Sequence, residues 1–312
     1  MEKAVTILKN GGLVAIPTET VYGLAGNALD ERVVSRIFSA KKRPQFDPLI
    51  VHCSSIGQIS HYATLENPQA RLLAEKFWPG PMTLVLPKKD VVPYLVTSGM
   101  DTVAMRIPAH EMTLHLLRQL DFPLVAPSAN PFGYVSPTTP DHVNDNLGDV
   151  VDYILDGGPC QLGIESTIIL FDNKIPTVLR SGSLSVEKIQ TIIGEINVVT
   201  HSSSNPSAPG MLKSHYAPGK KLVLGNIELL LGMPDYDRVG VLSFREKFEH
   251  PKIVSQIILS ENGDLEEAAT NLFSGLRSLD KMDINFILAE TVPNHGLGRA
   301  INDRLKRGAS DK

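Results

Sequence analysis

The 312-residue chain is short of cysteine, with only Cys53 and Cys160, and aromatic residues make up just 6% of it. Two thiols are too few for the disulfide framework of a small secreted protein, and no Cys/His cluster with zinc spacing is present. A reducing cytoplasm is the expected compartment. Long apolar runs are also missing. Gly, Pro or a charge interrupts every hydrophobic stretch within about a dozen residues, too soon for a membrane-spanning helix. The first residues, from Met1 to Lys9, lack the layout of a leader peptide and read as an amphipathic helix. No excess of basic charge is present either. The formal net charge is −4, and neither residues 1–200 nor 201–312 hold more Lys and Arg than Asp and Glu. A surface that grips many phosphates carries net positive charge, so direct tRNA binding is expected to be weak or absent.

Several motifs are absent as well. There is no Gly-x-x-x-x-Gly-Lys-Ser/Thr phosphate loop, no His-Glu-x-x-His and no Gly-x-Ser-x-Gly elbow. No Gly-x-Gly-x-x-Gly marks a strand-to-helix turn, so no dinucleotide is expected.

What is present is an α/β rhythm in two blocks. In residues 1–200, helical periodicity at Glu2–Lys9, after Asp30, and at Pro68–Phe77, Glu111–Leu120 and Val186–Ile193 alternates with short β-rich runs. Those runs lie at Leu13–Pro17, Pro48–Cys53, Met82–Leu86, Thr102–Ile107, Pro123–Ala126, Thr167–Phe171 and Pro176–Leu179. A short helix is expected after Pro140. Asp30 suits an N-cap, and Gly11-Gly12 a helix end. The pattern predicts a twisted mixed sheet with helices packed against it. Residues 201–219 are rich in Ser, Pro and Gly and read as a linker. Residues 220–312 read as a smaller, Rossmann-like α/β domain, with strands Leu222–Leu224, Val239–Phe244, Ile253–Leu259 and Asn285–Ala289 and helices Leu265–Leu279 and Arg299–Lys306.

Four polar clusters interrupt the apolar strands. The stretch Pro17-Thr18-Glu19-Thr20-Val21-Tyr22-Gly23-Leu24 reads either as a strand-to-helix connection with a Thr cap or as part of a site. Next come Lys41-Lys42-Arg43-Pro44 and Pro48-Leu49-Ile50-Val51-His52. The lysines could simply complement a helix dipole, and His52 is as open to a core role as to a ligand role. Arg106 sits within the apolar strand Thr102–Ile107, where an unpaired charge costs several kcal/mol, roughly 3–5 when a partner is missing. Its partner is either an internal carboxylate or a ligand's, gripped bidentately. Finally, Ala126-Pro127-Ser128-Ala129-Asn130 and Ser136 supply small donors after a strand, joined by Glu165-Ser166-Thr167 and Leu179-Arg180-Ser181-Gly182.

Taken in order, these segments resemble one family. The set Pro-Thr-Glu-Thr-Val-Tyr-Gly-Leu, Lys-x-Arg-Pro, Pro-Leu-Ile-Val-His, Trp-Pro-Gly-Pro-Met-Thr, Arg-Ile-Pro, Pro-Ser-Ala-Asn, Glu-Ser-Thr-Ile and Leu-Arg-Ser-Gly is similar to the YrdC-like threonylcarbamoyl-AMP synthases. The likeness runs nearly continuously over residues 1–200. Ser214-His215-Tyr216-Ala217-Pro218 and the block after it match the family's two-domain long form.

The resemblance implies a YrdC-like twisted mixed sheet around a concave cleft, and an enzyme that joins L-threonine, bicarbonate or CO₂, and ATP. The products would be threonylcarbamoyl-AMP and pyrophosphate, and a downstream tRNA-modifying transferase complex would use the former on adenosine-37 (the t6A modification). Lys41, Arg43, Ser128 and Asn130 match the family signature. Thr20, His52, Arg106 and Ser166 are the expected threonine contacts. Arg43, Asp47, Thr102, Ala126, Ser128, Ser136, Arg180 and Tyr216 are the expected ATP contacts. Asp47 stands where relatives carry Asn. Mg²⁺ is expected to ride on the phosphates, with no protein metal cage. A twenty-residue linker reaches roughly 25 Å, so Tyr216 is expected either to close a lid over the nucleotide or merely to dock the linker. Two rivals remain at this level. One is a double-stranded RNA or tRNA-binding module. The other is a carbamoyl transferase, whose additional acylphosphatase-like and zinc-finger segments this chain lacks.

Overall fold

The computed structural model describes residues 1–171, 175–199, 209 and 215–310. Of the expected linker 201–219, only Pro209 and residues 215–219 fall among them; Ser214 lies outside the described residues.

In the first unit ten strands form one mixed sheet. They are β1 (Val14–Ile16), β2 (Gly23–Asn27), β3 (Ile50–His52), β4 (Met82–Pro87), β5 (Thr102–Arg106), β6 (Leu124–Val125), β7 (Tyr153–Ile154), β8 (Thr167–Leu170), β9 (Thr177–Arg180) and β10 (Asn197–Val198). Their order is β10-β9-β8-β4-β5-β3-β6-β2-β1-β7. The helices form where their signals stand: Asp30 caps Glu31–Lys41 through Arg32 N, Asn67 caps Pro68–Phe77, and Ser185 caps Val186–Ile193. Helices Glu111–Arg118 and Pro140–Leu147 also form as expected.

One expectation is corrected. The stretch after β1 does not lead into a helix. Thr18 Oγ1 accepts from the backbone of Thr20 and Val21 and donates to the Val21 carbonyl at 2.6 Å, closing a turn. The chain then returns as β2, antiparallel to β1. Gly23-Leu24-Ala25-Gly26-Asn27 has poor strand propensity, but its glycines are needed for close approach. A Cβ on Gly26 would lie 2.6 Å from Val33 of the capped helix, and one on Gly23 would lie 3.0 Å from Ala126.

The two-residue period of the strands divides the sheet into two faces. Val51, Leu84, Leu86, Val103, Met105, Ile169 and Val178 point into the main core. Ile50, Val85, Ala104, Ile168 and Leu179 form a smaller apolar patch on the other face. By the same alternation His52, Arg106 and Ser166 fall on that second face. A bulge leaves Leu179 unpaired between Val178 and Arg180, which re-aims Arg180 as bulges do.

The second unit is a four-stranded parallel sheet in the order β11-β14-β12-β13, from β11 (Lys221–Leu224), β12 (Val239–Ser243), β13 (Ile253–Ile258) and β14 (Phe286–Ala289). Helices Ile227–Gly232, Leu265–Asp280 and Gly298–Gly308 cover it. Its core is not private: Val21, Val135 and Ile164 of the first unit and Tyr216 of the connector pack with Leu272, Phe273, Leu276, Ile301 and Leu305. The seam is tight. A Cβ on Gly163 (φ +69°) would come within 2.5 Å of the Thr270 Cα, so only glycine fits there. Arg277, buried on helix Leu265–Asp280, donates to the carbonyls of Ser136, Val135 and His142 and to Asn146. Among the described residues no helix is long and apolar enough to cross a membrane.

Candidate active site

A cleft opens over the second face of the large sheet, at the seam between the units. Its wall is formed by Thr20, Val21, Arg43, Ile50, His52, Arg106, Ala126, Pro127, Ser128, Glu165, Ser166, Arg180, Pro209, His215 and Tyr216. Nine residues expected from sequence therefore meet in one place: Thr20, Arg43, His52, Arg106, Ala126, Ser128, Ser166, Arg180 and Tyr216. The free interior is small, about 50 Å³ for the centres of water molecules, which is room for a few waters.

At one end, parallel pairing of β3 and β5 sets His52 directly beside Arg106. Arg106 is buried. An internal carboxylate is present: Glu19 Oε1 lies 2.8 Å from Arg106 Nη2. The same nitrogen donates to Thr20 Oγ1 at 3.0 Å, and Nε to the Gly80 carbonyl at 3.3 Å. Yet the guanidinium still lines the cleft, and Nη1 makes no hydrogen bond among the described residues. His52 Nδ1 faces the Ile50 carbonyl at 3.2 Å. Burial, reinforced by the Arg106 charge, drops its pKa to about 3, so the ring is neutral and can share a proton with a polar ligand. Ser166 Oγ bonds Thr83 at 2.8 Å and receives Arg180 Nη2 at 3.2 Å. Thr20, His52, Arg106 and Ser166 thus make a compact polar end with one cation.

The other end is more cationic. Arg43 Nη2 contacts Asp47 Oδ2 at 2.8 Å and the Pro48 carbonyl at 2.8 Å, and Arg43 also stands over the Phe132 ring. Arg180 holds the carbonyl of Ser166 through Nε and Nη2, and that of Pro209 through Nη1. His215 is buried among cations. Burial, then Arg43, Lys41, Arg304 and Arg180, holds its pKa well below the usual imidazole value. Tyr216, at φ +63°, stacks on Phe273 at 5.6 Å, and among the described residues its hydroxyl has no hydrogen-bond partner.

Five expected residues do not line the cleft. The Lys41 ammonium turns inward onto the Ser128 and Asn130 carbonyls instead of complementing its helix. Asn130 Nδ2 donates to the Pro131 and Tyr134 carbonyls. Together they brace the loop that presents Ser128. Asp47 is fully buried against Arg43; burial raises its carboxyl pKa, and Arg43 opposes the rise. Thr102 begins β5, about 13 Å from Arg106 at the ordinary strand rise. Ser136 lies behind the wall and donates to Glu165 Oε1 at 2.6 Å.

Sequence reasoning missed Glu19 as the counter-ion of Arg106, and gave no role to Glu165 or Arg304. Glu165 Oε2 receives Arg304 Nε at 2.9 Å. Burial pushes the Glu165 pKa up, but Arg304, Arg180 and the Ser136 hydrogen bond outweigh it and hold the carboxyl below its ordinary value. A signal for Arg304 existed. It falls on the stripe Ala300, Ile301, Leu305, Gly308, all buried, at the spacing of an apolar helix face. Among the described residues no group of three or more His, Cys, Asp and Glu forms a metal cage. The carboxylates nearest the cationic end, Asp47 and Glu165, are already engaged by Arg43 and Arg304.

Comparison with known proteins covers both units of the chain. A family model covering Sua5, YciO and YrdC, described as telomere recombination, matches residues 6–182. A second, described as the threonylcarbamoyl-AMP synthase C-terminal domain, matches residues 184–310. The threonylcarbamoyl-AMP synthase of Pyrococcus abyssi is 42% identical over 98% of this chain and 93% of its own length. That of Bacillus subtilis is 38% identical over 99% and 93%. The crystal structure of P. abyssi Sua5 complexed with L-threonine superposes with a TM-score of 0.92 at 40% identity, over 98% of this chain and 93% of that one.

Proposed function

The chain belongs to the Sua5, YciO and YrdC family in its two-domain form, and from that premise we propose how its cleft makes threonylcarbamoyl-AMP. The protein is a threonylcarbamoyl-AMP synthase, supplying the activated threonylcarbamoyl group for tRNA modification. A tRNA-gripping module is not favoured: the net charge is −4, and the cleft's cations Arg43, Arg106 and Arg180 are buried instead of spreading over a surface.

The reaction has two parts. The neutral amine of threonine adds to CO₂ and loses a proton, giving an N-carboxylate. A carboxylate oxygen then attacks the α-phosphate of ATP, and pyrophosphate leaves. The N-carboxylate reverts readily in water, so a dry, positioned site contributes more than a strong base. Arg106 takes the threonine carboxylate, while Thr20, the neutral ring of His52 and Ser166 take its hydroxyl and amine. Arg43, Ser128 and Arg180 face the phosphates, and Ala126 offers backbone to the base or ribose. Lys41 and Asn130 act by holding Ser128. Tyr216 covers the nucleotide and excludes water. Mg²⁺ brought in with the nucleotide would supply charge neutralisation for the leaving pyrophosphate, since Asp47 and Glu165 are already engaged by Arg43 and Arg304.

One observation carries this reading: a polar end with a buried guanidinium adjoins a cationic end within a single cleft. The test is pyrophosphate release with ATP and Mg²⁺, omitting threonine and bicarbonate in turn. Release should stop with either omission, and release indifferent to both would refute the assignment.

A further inference from the structure

Arg304 belongs to the second unit, yet its contacts run into the cleft of the first. Nε donates to Glu165 Oε2 at 2.9 Å, Nη2 to the Ser181 carbonyl at 3.0 Å, and Nη1 to the adjacent Asp303 at 2.7 Å. Its guanidinium carbon lies 4.8 Å from the centre of the Tyr216 ring. The side chain is fully buried. Burying a guanidinium is expensive, and well-packed apolar residues often serve stability as well or better. The helix that carries it already has Ala300, Ile301 and Leu305 for packing. Within the second unit its one ion-pair partner among the described residues is Asp303; the buried partner, Glu165, lies in the first.

The other oxygen of Glu165 accepts from Ser136 Oγ at 2.6 Å, and the Ser136 carbonyl is held from behind by Arg277 of the same second unit. A continuous chain therefore runs from Arg304 through Glu165 to Ser136, and a second branch runs from the guanidinium face to Tyr216. We propose that Arg304 is a positioning residue for the adenylation step, fixing Glu165 against the cleft wall and the Tyr216 ring over the nucleotide. The second unit is thus a working part of the active site and more than an anchor for the connector. The inference rests on the reading of this cleft as the nucleotide site.

The test compares R304M, R304K, E165Q and the double variant E165Q/R304M in the full-length protein. Pyrophosphate release is measured with ATP and threonine varied separately, and thermal unfolding is followed on the same samples. R304M should lose turnover, up to about 100-fold for a misplacement acting at a distance, while KM for threonine stays within about threefold. R304K, which keeps the charge but not the planar fork, should recover part of the loss. The double variant, which no longer buries an unpaired carboxylate, should melt near the wild type but remain as slow as R304M. Should R304M fail to fold, the double variant decides alone. Recovery of wild-type turnover in the double variant would show that Arg304 merely cancels charge and would overturn the proposal. Affinity for a non-hydrolysable ATP analogue, read by calorimetry, judges Arg304 separately from the reaction. It should weaken in the double variant, and unchanged affinity would also count against the proposal. Wild-type pyrophosphate release that ignored threonine would instead overturn the functional reading.

Discussion

Arg106 and Glu19 meet at 2.8 Å, with both side chains almost wholly withdrawn from water. The pair pre-forms a cation whose charge is only shared, so a substrate carboxylate can compete for the same guanidinium. Removing one partner leaves the other buried and uncompensated. R106M should therefore destabilise the fold by about 3–5 kcal/mol and weaken threonine far more than ATP. R106M/E19Q should regain most of the stability and none of the threonine affinity. Denaturant midpoints and separate KM values check this; an effect confined to ATP would mean the two ends of the cleft are interchanged.

Tyr216 requires a gentler substitution than truncation. Its ring lies in the core shared by the two units, so Tyr216→Ala should cost about 3–5 kcal/mol as an aromatic-to-alanine core change. That conflicts with the simple expectation of a surface lid that can be trimmed freely. Tyr216→Phe keeps the stacking and removes only a hydroxyl that has no hydrogen-bond partner among the described residues. It should melt at or slightly above the wild-type temperature while turnover falls. Undiminished turnover in Tyr216→Phe would remove the hydroxyl from the reaction.

His52 should be silent in the pH–rate profile. Its pKa is about 3 in the fold against an ordinary 6.5, so the native ring stays neutral. Below about pH 6.5 only the unfolded chain takes up this proton, and stability falls toward pH 3 by up to about 1.4 kcal/mol per pH unit. His215, shifted the same way, adds to the loss. Ring-proton NMR shifts of His52 should not move between about pH 5 and 8, while denaturation midpoints drop on the acid side. A His52 titration near neutrality would disprove the neutral-ring assignment.

Lys41 reaches the reaction only through the loop it braces. Lys41→Met leaves the Ser128 and Asn130 carbonyls without their donor, at about 1–3 kcal/mol for each buried orphan. Both thermal stability and ATP affinity should decline, while threonine affinity changes least. A larger loss for threonine than for ATP, measured by calorimetry, would contradict this placement.

Much of this was legible because apolar alternation and capping residues act locally. Asp30, Asn67 and Ser185 stand where their helices begin, and Thr102–Arg106 has the short apolar run of a strand buried on both faces. The four parallel strands of the second unit were readable for the same reason. Strand β2 was not. Its glycines make room for Val33 and Ile37 of the next helix and for the distant Ala126, and propensity has no access to such packing contacts. Short strands β7 and β10 depend likewise on their neighbours' edges. At the site, cations in apolar strands betrayed Arg106 and Arg180, and motif order gathered the hydroxyls. Which carboxylate faces which guanidinium is a tertiary fact, so Glu19 and Arg304 escaped notice. So did the inward turn of Lys41, whose position at a helix end offered a simpler explanation.

The contact of Gly163 with the Thr270 backbone bears on how substrates get in. A glycine pressed against main chain leaves no side chain to yield, and Arg277 ties the same seam to several carbonyls. Swinging the two units apart would strip those bonds together. Substrates therefore enter beside a seam that holds Glu165 of one unit and Arg304 of the other in fixed register.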